Sequence, residues 1–132
     1  MEISKITDGE LKVLNVLWKN KSTAQGEAMK AAEIVKILNT KVGWNRNTTY
    51  TFINRLVEKG IIKRSEPGFV CEVLYTKEQI SVSEAREFID KMFSGSLKAM
   101  IASFLSSGYS EKEITEVREM LARHKDGGSN SG

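Results

Sequence analysis

Arg46, Asn47, Thr48, Tyr50, Thr51, Asn54 and Arg55 fall within one short stretch that holds no acid before Glu58. Amide, hydroxyl and guanidinium groups at this density can bond base edges and phosphate oxygens, with no nearby carboxylate to repel a polyanion. Read as a helix that starts near Asn45 and ends at Gly60, the stretch turns Thr49, Phe52, Ile53, Leu56 and Val57 to one side. The polar groups then occupy the other side. Asn47, Thr48 and Thr51 lie near the N-terminus, the end that a helix-turn-helix offers to bases and whose dipole favours phosphate. On composition alone, the same face reads equally well as a solvated helix surface.

The surrounding elements give that helix its setting. Thr7 and Glu10 have the spacing of a capping box, and Leu11, Leu14, Val16, Leu17 and Trp18 continue at helical spacing to about Lys19. Residues 20–27 are polar and read as a loop, and residues 28–30 as an edge strand or a lead-in. A second helix over 31–39 carries Ala32, Ile34, Val35 and Leu38 on one side and ends around Gly43, with Trp44 packed in the turn. After the polar helix, residues 61–65 and 69–76 flank Glu66, Pro67 and Gly68 as a hairpin. Lys63 and Arg64 at its base are placed to hold a neighbouring phosphate, or else to protect an edge strand by charge. Three helices and a hairpin make the order of a winged helix.

From Ile80 the period returns to that of helices. Ser81 or Ser83 can cap the first, which bears Ala85, Phe88, Ile89, Met92 and Phe93. Beyond Gly95 a second bears Leu97, Met100, Ile101, Phe104 and Leu105, and Ser110 with Glu113 opens a third bearing Ile114, Val117, Met120 and Leu121. The expected fold class is mostly α with a small β-hairpin. Its division is a winged helix-turn-helix over 1–78, dimerisation helices over 79–125 and a flexible tail over 126–132. Three apolar stripes in so short a segment have little mass to cover them. A second copy meeting the first about a two-fold axis would cover Phe88, Ile89, Met92, Phe93, Leu97, Met100, Ile101, Phe104 and Leu105. Folding back onto the winged unit is the other solution.

Composition bounds the remaining classes. The 132 residues carry a formal charge of +3. Residues 1–80 hold 13 Lys/Arg against 9 Asp/Glu and residues 81–132 hold 7 against 8, so the basic excess belongs to the front. No apolar run approaches the roughly 20 residues of a membrane span, and the start lacks the order of a signal peptide, so a cytoplasmic location is expected. His124 is the sole histidine and Cys71 the sole cysteine. The first reads as solvated and the second as a small packing residue. With no paired carboxylates, metal-ligand spacing or Gly-rich phosphate loop, neither enzyme activity nor a cofactor or metal is expected. A winged helix that binds only other proteins is the rival reading.

The run 44–60, WNRNTTYTFINRLVEKG, resembles the recognition helix of the penicillinase-repressor family, which includes the methicillin-resistance and copper-responsive repressors. The shared pattern is a tryptophan, here Trp44, then Thr48 and Thr51, then Asn54, Arg55, Leu56, Val57, Lys59 and Gly60. Residues 11–18, 32–35, 75–76, 93–96 and 102–104 are similar to further segments of that family, so the resemblance covers nearly all of the chain except its tail. It implies a homodimer on double-stranded operator DNA of two-fold symmetry, blocking transcription, without membrane insertion. In the antibiotic-resistance members a membrane sensor's signal leads to cleavage just before a phenylalanine in the dimerisation region. Phe104 occupies the similar position, with Ser103 where those members have asparagine, so a sensor/protease system is a further implied partner. The copper-responsive members carry paired Cys-x-Cys motifs, and a lone Cys71 does not supply that route. The 20–27 loop is longer than the family pattern leads one to expect.

Overall fold

A computed structural model describes residues 3–20 and 28–127. The expected loop over 20–27 and tail over 126–132 lie largely outside the described residues. The element order is α1 (Asp8–Lys19), β1 (Ala28–Lys30), α2 (Ala31–Val42), α3 (Arg46–Glu58), β2 (Ile62–Ser65), β3 (Val70–Val73), α4 (Lys77–Phe93), α5 (Leu97–Ser107) and α6 (Glu111–Gly127). They form two units, Met1–Ala85 and Arg86–Gly132. No helix among the described residues is long and apolar enough to cross a membrane.

In the first unit, α1 starts on the expected capping box: the Glu10 N–H donates to Thr7 Oγ1 at 3.3 Å and the Thr7 N–H to Glu10 Oε1 at 2.9 Å. Its buried stripe is Val13, Leu14, Val16 and Leu17, while Leu11 stays exposed. Residues 28–30 are a true strand. The sheet order is β1-β3-β2, antiparallel throughout, with Met29 and Arg64 both opposite Cys71 and Ile62 opposite Val73.

Strand β1 passes directly into α2, where the Ala31 N–H donates to the Phe69 carbonyl at 3.0 Å. Along α2, Ala31, Ile34 and Leu38 face the core, Ala32 is exposed and Val35 half-buried. Of the expected stripe, Ile34 and Leu38 are in the core, whereas Ala31 takes the inner place given to Ala32. Gly43 ends α2 at φ +75, where its N–H reaches the Asn39 carbonyl, a left-handed cap that a side chain would strain.

A single core joins α1, α2, α3 and the inner face of the sheet, with Leu14, Leu17, Ile34, Ile53, Leu56, Ile61 and Cys71 fully enclosed. Each buried aliphatic side chain contributes roughly 1.5–3 kcal/mol, so this core is the main source of the unit's stability. Helix α4 begins earlier than Ser81 or Ser83 would set it. Thr76 and Gln79 cap one another instead, Thr76 N–H to Gln79 Oε1 at 2.9 Å and Gln79 N–H to Thr76 Oγ1 at 3.0 Å. This start buries Ile80 in the first unit's core and lets Glu84 Oε2 accept from the Ile6 N–H at 3.1 Å.

The second unit comprises the rest of α4 with α5 and α6. Ser96 caps α5 through the Ala99 N–H at 2.9 Å, and Ser110 accepts from the Glu113 N–H at 3.2 Å. Phe88 meets Phe93 edge-on at 5.9 Å and Phe104 meets Tyr109 at 5.3 Å. None of its described side chains is buried.

Candidate nucleic-acid interface

Helices α2 and α3 are joined by the turn 43–45. Asn39 Nδ2 donates to the Trp44 carbonyl at 2.9 Å, which pins the turn, and Asn45 Oδ1 accepts from the Thr48 N–H at 2.8 Å, which caps α3. No acid stands in the first turn of α3. Thr49, Ile53 and Leu56 are its buried stripe, so Asn47, Thr51 and Asn54 fall on the opposite, exposed face. Thr51 Oγ1 donates to the Asn47 carbonyl at 2.9 Å, so towards a further partner the hydroxyl acts as an acceptor.

The remaining expected residues flank that face on two sides. Arg46 and Tyr50, one turn apart, share one flank, with the guanidinium 5.2 Å from the ring centroid. Arg55 lies toward the other, 5.3 Å from the ring of Phe52. Thr48 is half-buried beside it. Phe52 itself is held between Trp44, stacked at 4.9 Å and 22°, and Gly9 of α1. A Cβ at Gly9 would stand 2.3–2.8 Å from three atoms of the Phe52 ring, so glycine is what lets α3 lie this close to α1.

Lys63 and Arg64, expected beside a phosphate, stand at consecutive positions of β2. Consecutive residues of a strand point to opposite faces, and Lys63 stands beside Glu72 on the face away from the helices. Arg64 shares the inner face with Cys71 and is already engaged: its Nε bonds Glu66 Oε2 at 2.7 Å and its guanidinium lies 3.6 Å from the centroid of Phe69. The Arg64 hydrogen bond and the Phe69 N–H both hold the Glu66 carboxyl below its ordinary pKa. The two cations thus leave β2 from opposite faces, with Arg64 already engaged by Glu66 and Phe69.

Two contacts escaped the sequence reading. Glu10 is fully buried and bonds Lys59 Nζ at 2.7 Å, while the same ammonium donates to the Lys5 carbonyl at 2.7 Å. Burial works to raise the pKa of Glu10, more so because Oε2 has no partner among the described residues. The Lys59 ammonium and the Thr7 N–H outweigh it and leave the carboxyl below its ordinary value. This pair ties the end of α3 to the start of α1. Glu10 looked like a cap alone, and nothing local in the sequence pointed to Lys59. The second contact is Phe69, whose ring meets Tyr50 edge-on at 5.5 Å.

Cys71 is buried and its thiol is pushed up to about 11 by that burial, so it stays protonated and unreactive. No group of three His, Cys, Asp or Glu side chains gathers as a metal site among the described residues.

In the second unit, Phe88, Met92, Leu97, Ile101, Phe104 and Leu105 are exposed, and Ile89, Phe93 and Met100 half-buried. Val117, Met120 and Leu121 of α6 are exposed as well, beside an apolar groove of about 250 Å³ between α5 and α6. Ser103 and Phe104 lie in the middle of α5, where the Ser103 carbonyl accepts from Ser107 Oγ at 2.7 Å.

Residues 6–123 match the family model described as Penicillinase repressor. The penicillinase repressor of Bacillus licheniformis is 30% identical over 131 residues, covering 95% of this chain and 95% of that one. The methicillin resistance regulatory protein MecI of Staphylococcus aureus strain N315 is 26% identical over 120 residues, 89% of this chain and 93% of that one. The solution structure of the DNA binding domain of the repressor BlaI is 29% identical and covers 58% of this chain and 90% of that chain, with a TM-score of 0.49.

Proposed function

The chain belongs to the penicillinase repressor family, and from that premise we propose that it is a DNA-binding transcription repressor. In this reading it sits on a promoter operator of two-fold symmetry as a homodimer, and an inducing signal releases it. The observation that carries the reading is α3: an acid-free first turn, a polar outer face and an inner stripe fixed in the core. Asn47, Thr51 and Asn54 reach base edges in the major groove, and Arg46, Thr48, Tyr50 and Arg55 serve the flanking phosphates and bases. Arg64 and Lys63 contact the backbone separately, from the two faces of the hairpin.

The dimer reading draws on the second unit. Phe88, Met92, Leu97, Ile101, Phe104 and Leu105 stay about half exposed in a single copy, so covering each would add roughly half of the ~1.5–3 kcal/mol that full burial of such a side chain is worth. A two-fold partner covers them with the same residues of its own and fixes the spacing of two recognition helices. Proteolysis between Ser103 and Phe104 is the proposed route of release. The bond lies inside α5, so cutting requires that turn to open locally.

The test is selection of bound sequences from random duplex DNA by the purified protein, with sedimentation at micromolar concentration. A gapped palindrome and a dimer are expected. A monomer that retains no duplex even at low ionic strength would overturn the proposal and leave the winged helix as a protein-binding module.

A further inference from the structure

Phe69 is where three elements of the first unit meet, and no motif in the sequence marks it. It follows the turn 66–68 with φ +51, in the left-handed region that bulky side chains rarely occupy. Such a conformation persists only where the surroundings over-determine it. They do so here from four directions. The Phe69 carbonyl accepts from the Ala31 N–H at the start of α2 at 3.0 Å, and its own N–H donates to Glu66 Oε1 at 3.2 Å. Its ring meets Tyr50 of α3 at 5.5 Å, and Arg64 of β2 lies over it at 3.6 Å.

The contacts form one connected series. Arg46 lies on Tyr50, Tyr50 meets Phe69, and Phe69 carries Arg64, which Glu66 holds by its Nε at 2.7 Å. The series runs from the first turn of α3 to the tip of the hairpin, with a guanidinium at each end. A hairpin of two four-residue strands is marginal by itself, and an arginine on it loses much rotamer freedom when it binds. A side chain already held in place avoids that loss at the moment of binding.

We propose that Phe69 is a positioning residue for DNA binding: it locks the hairpin to α3 and pre-orients Arg64, so that hairpin and helix meet the duplex as one rigid face. The inference rests on the DNA-binding reading above and adds the residue that sets the spacing between wing and recognition helix.

The test measures binding of the full chain to its selected operator by fluorescence anisotropy across a range of salt. The proteins are the parent, Phe69→Leu, Phe69→Tyr, Arg64→Met and the double variant Phe69→Leu/Arg64→Met. Phe69→Leu should weaken binding about 10- to 100-fold and flatten the plot of log K against log salt by about 0.9 for each phosphate that is no longer neutralised. Arg64→Met should flatten it equally, the double variant should be no worse than the stronger single one, and Phe69→Tyr should restore the parent's behaviour. Arg64 is 45% exposed, so its variant reports on the proposal even if Phe69→Leu folds poorly. An unchanged slope in Arg64→Met, or additive effects in the double variant, would overturn the positioning role while leaving DNA binding intact. A parent protein that binds no duplex would remove the DNA-binding reading and this inference together.

Discussion

Leu74 and Leu105 are exposed to nearly the same degree, 49% and 53%, yet they sit in regions that treat apolar surface differently. Around Leu74, the first unit has closed its core, and every buried side chain among the described residues lies at or before Ile80. Around Leu105, nothing is closed: Phe104, Ile101, Val117 and Leu121 share the same open apolar groove. A lone exposed leucine is ordinary on a soluble surface, whereas a contiguous stripe marks surface meant for burial. One region thus encloses a core of its own. The other leaves its apolar side chains uncovered, and in the proposed function a second copy covers them.

The largest test of that contrast is a chain ended after Ala85, which keeps Ile80 and Glu84 with the unit they serve. It should unfold cooperatively at a temperature independent of protein concentration, while operator affinity falls about 10²- to 10⁴-fold as two linked heads become one. A cut at Thr76 would instead remove part of the core. Leu105→Ser is the single-site form of the same test and should make sedimentation shift toward monomer.

Within the first unit, Lys59→Ala should cost about 2–3 kcal/mol by leaving the buried Glu10 carboxylate unpaired, allowing for the partial exposure of the lysine. The pH dependence follows from the lowered pKa of Glu10. Its contribution is complete above the unfolded value near 4.5 and is lost as pH falls through the lower folded value. In Lys59→Ala the ammonium no longer opposes burial and the Glu10 pKa rises, so thermal unfolding scans from pH 7 to pH 3 should show the cost of the substitution shrinking as pH falls and the carboxyl takes up its proton.

Gly9→Ala would ordinarily strengthen a helix by nearly 1 kcal/mol. Here the added carbon meets the Phe52 ring, and overpacking of about 1–3 kcal/mol should win, read as a lowered midpoint in urea. The smallest effect is expected at Leu74→Ser, within about 0.5 kcal/mol and with no change in oligomeric state. A change of oligomeric state there would erase the distinction between the two regions.

Much of this organisation could be read along the chain. The capping box of Thr7 and Glu10, the left-handed end at Gly43 and the polar outer face of α3 depend on residues within a turn or two of one another. Local signals of that kind survive in any tertiary setting. One misplaced position involves a distant partner: Ala31 starts α2 bonded to the Phe69 carbonyl, and Ala32 faces solvent. The other is local, because Thr76 and Gln79 cap α4 with the same spacing as Thr7 and Glu10, ahead of Ser81 and Ser83.

The sequence by itself determined the order of elements, the family, and which helix carries a polar, acid-free surface, because caps and periodicity are written in neighbouring residues. Only the tertiary structure decided that Lys59 reaches back to Glu10, that Ala31 bonds the Phe69 carbonyl, and that Phe69 joins the hairpin to α3. Those contacts join residues that no local pattern links, and their geometry exists only once helices and sheet have packed around a common core.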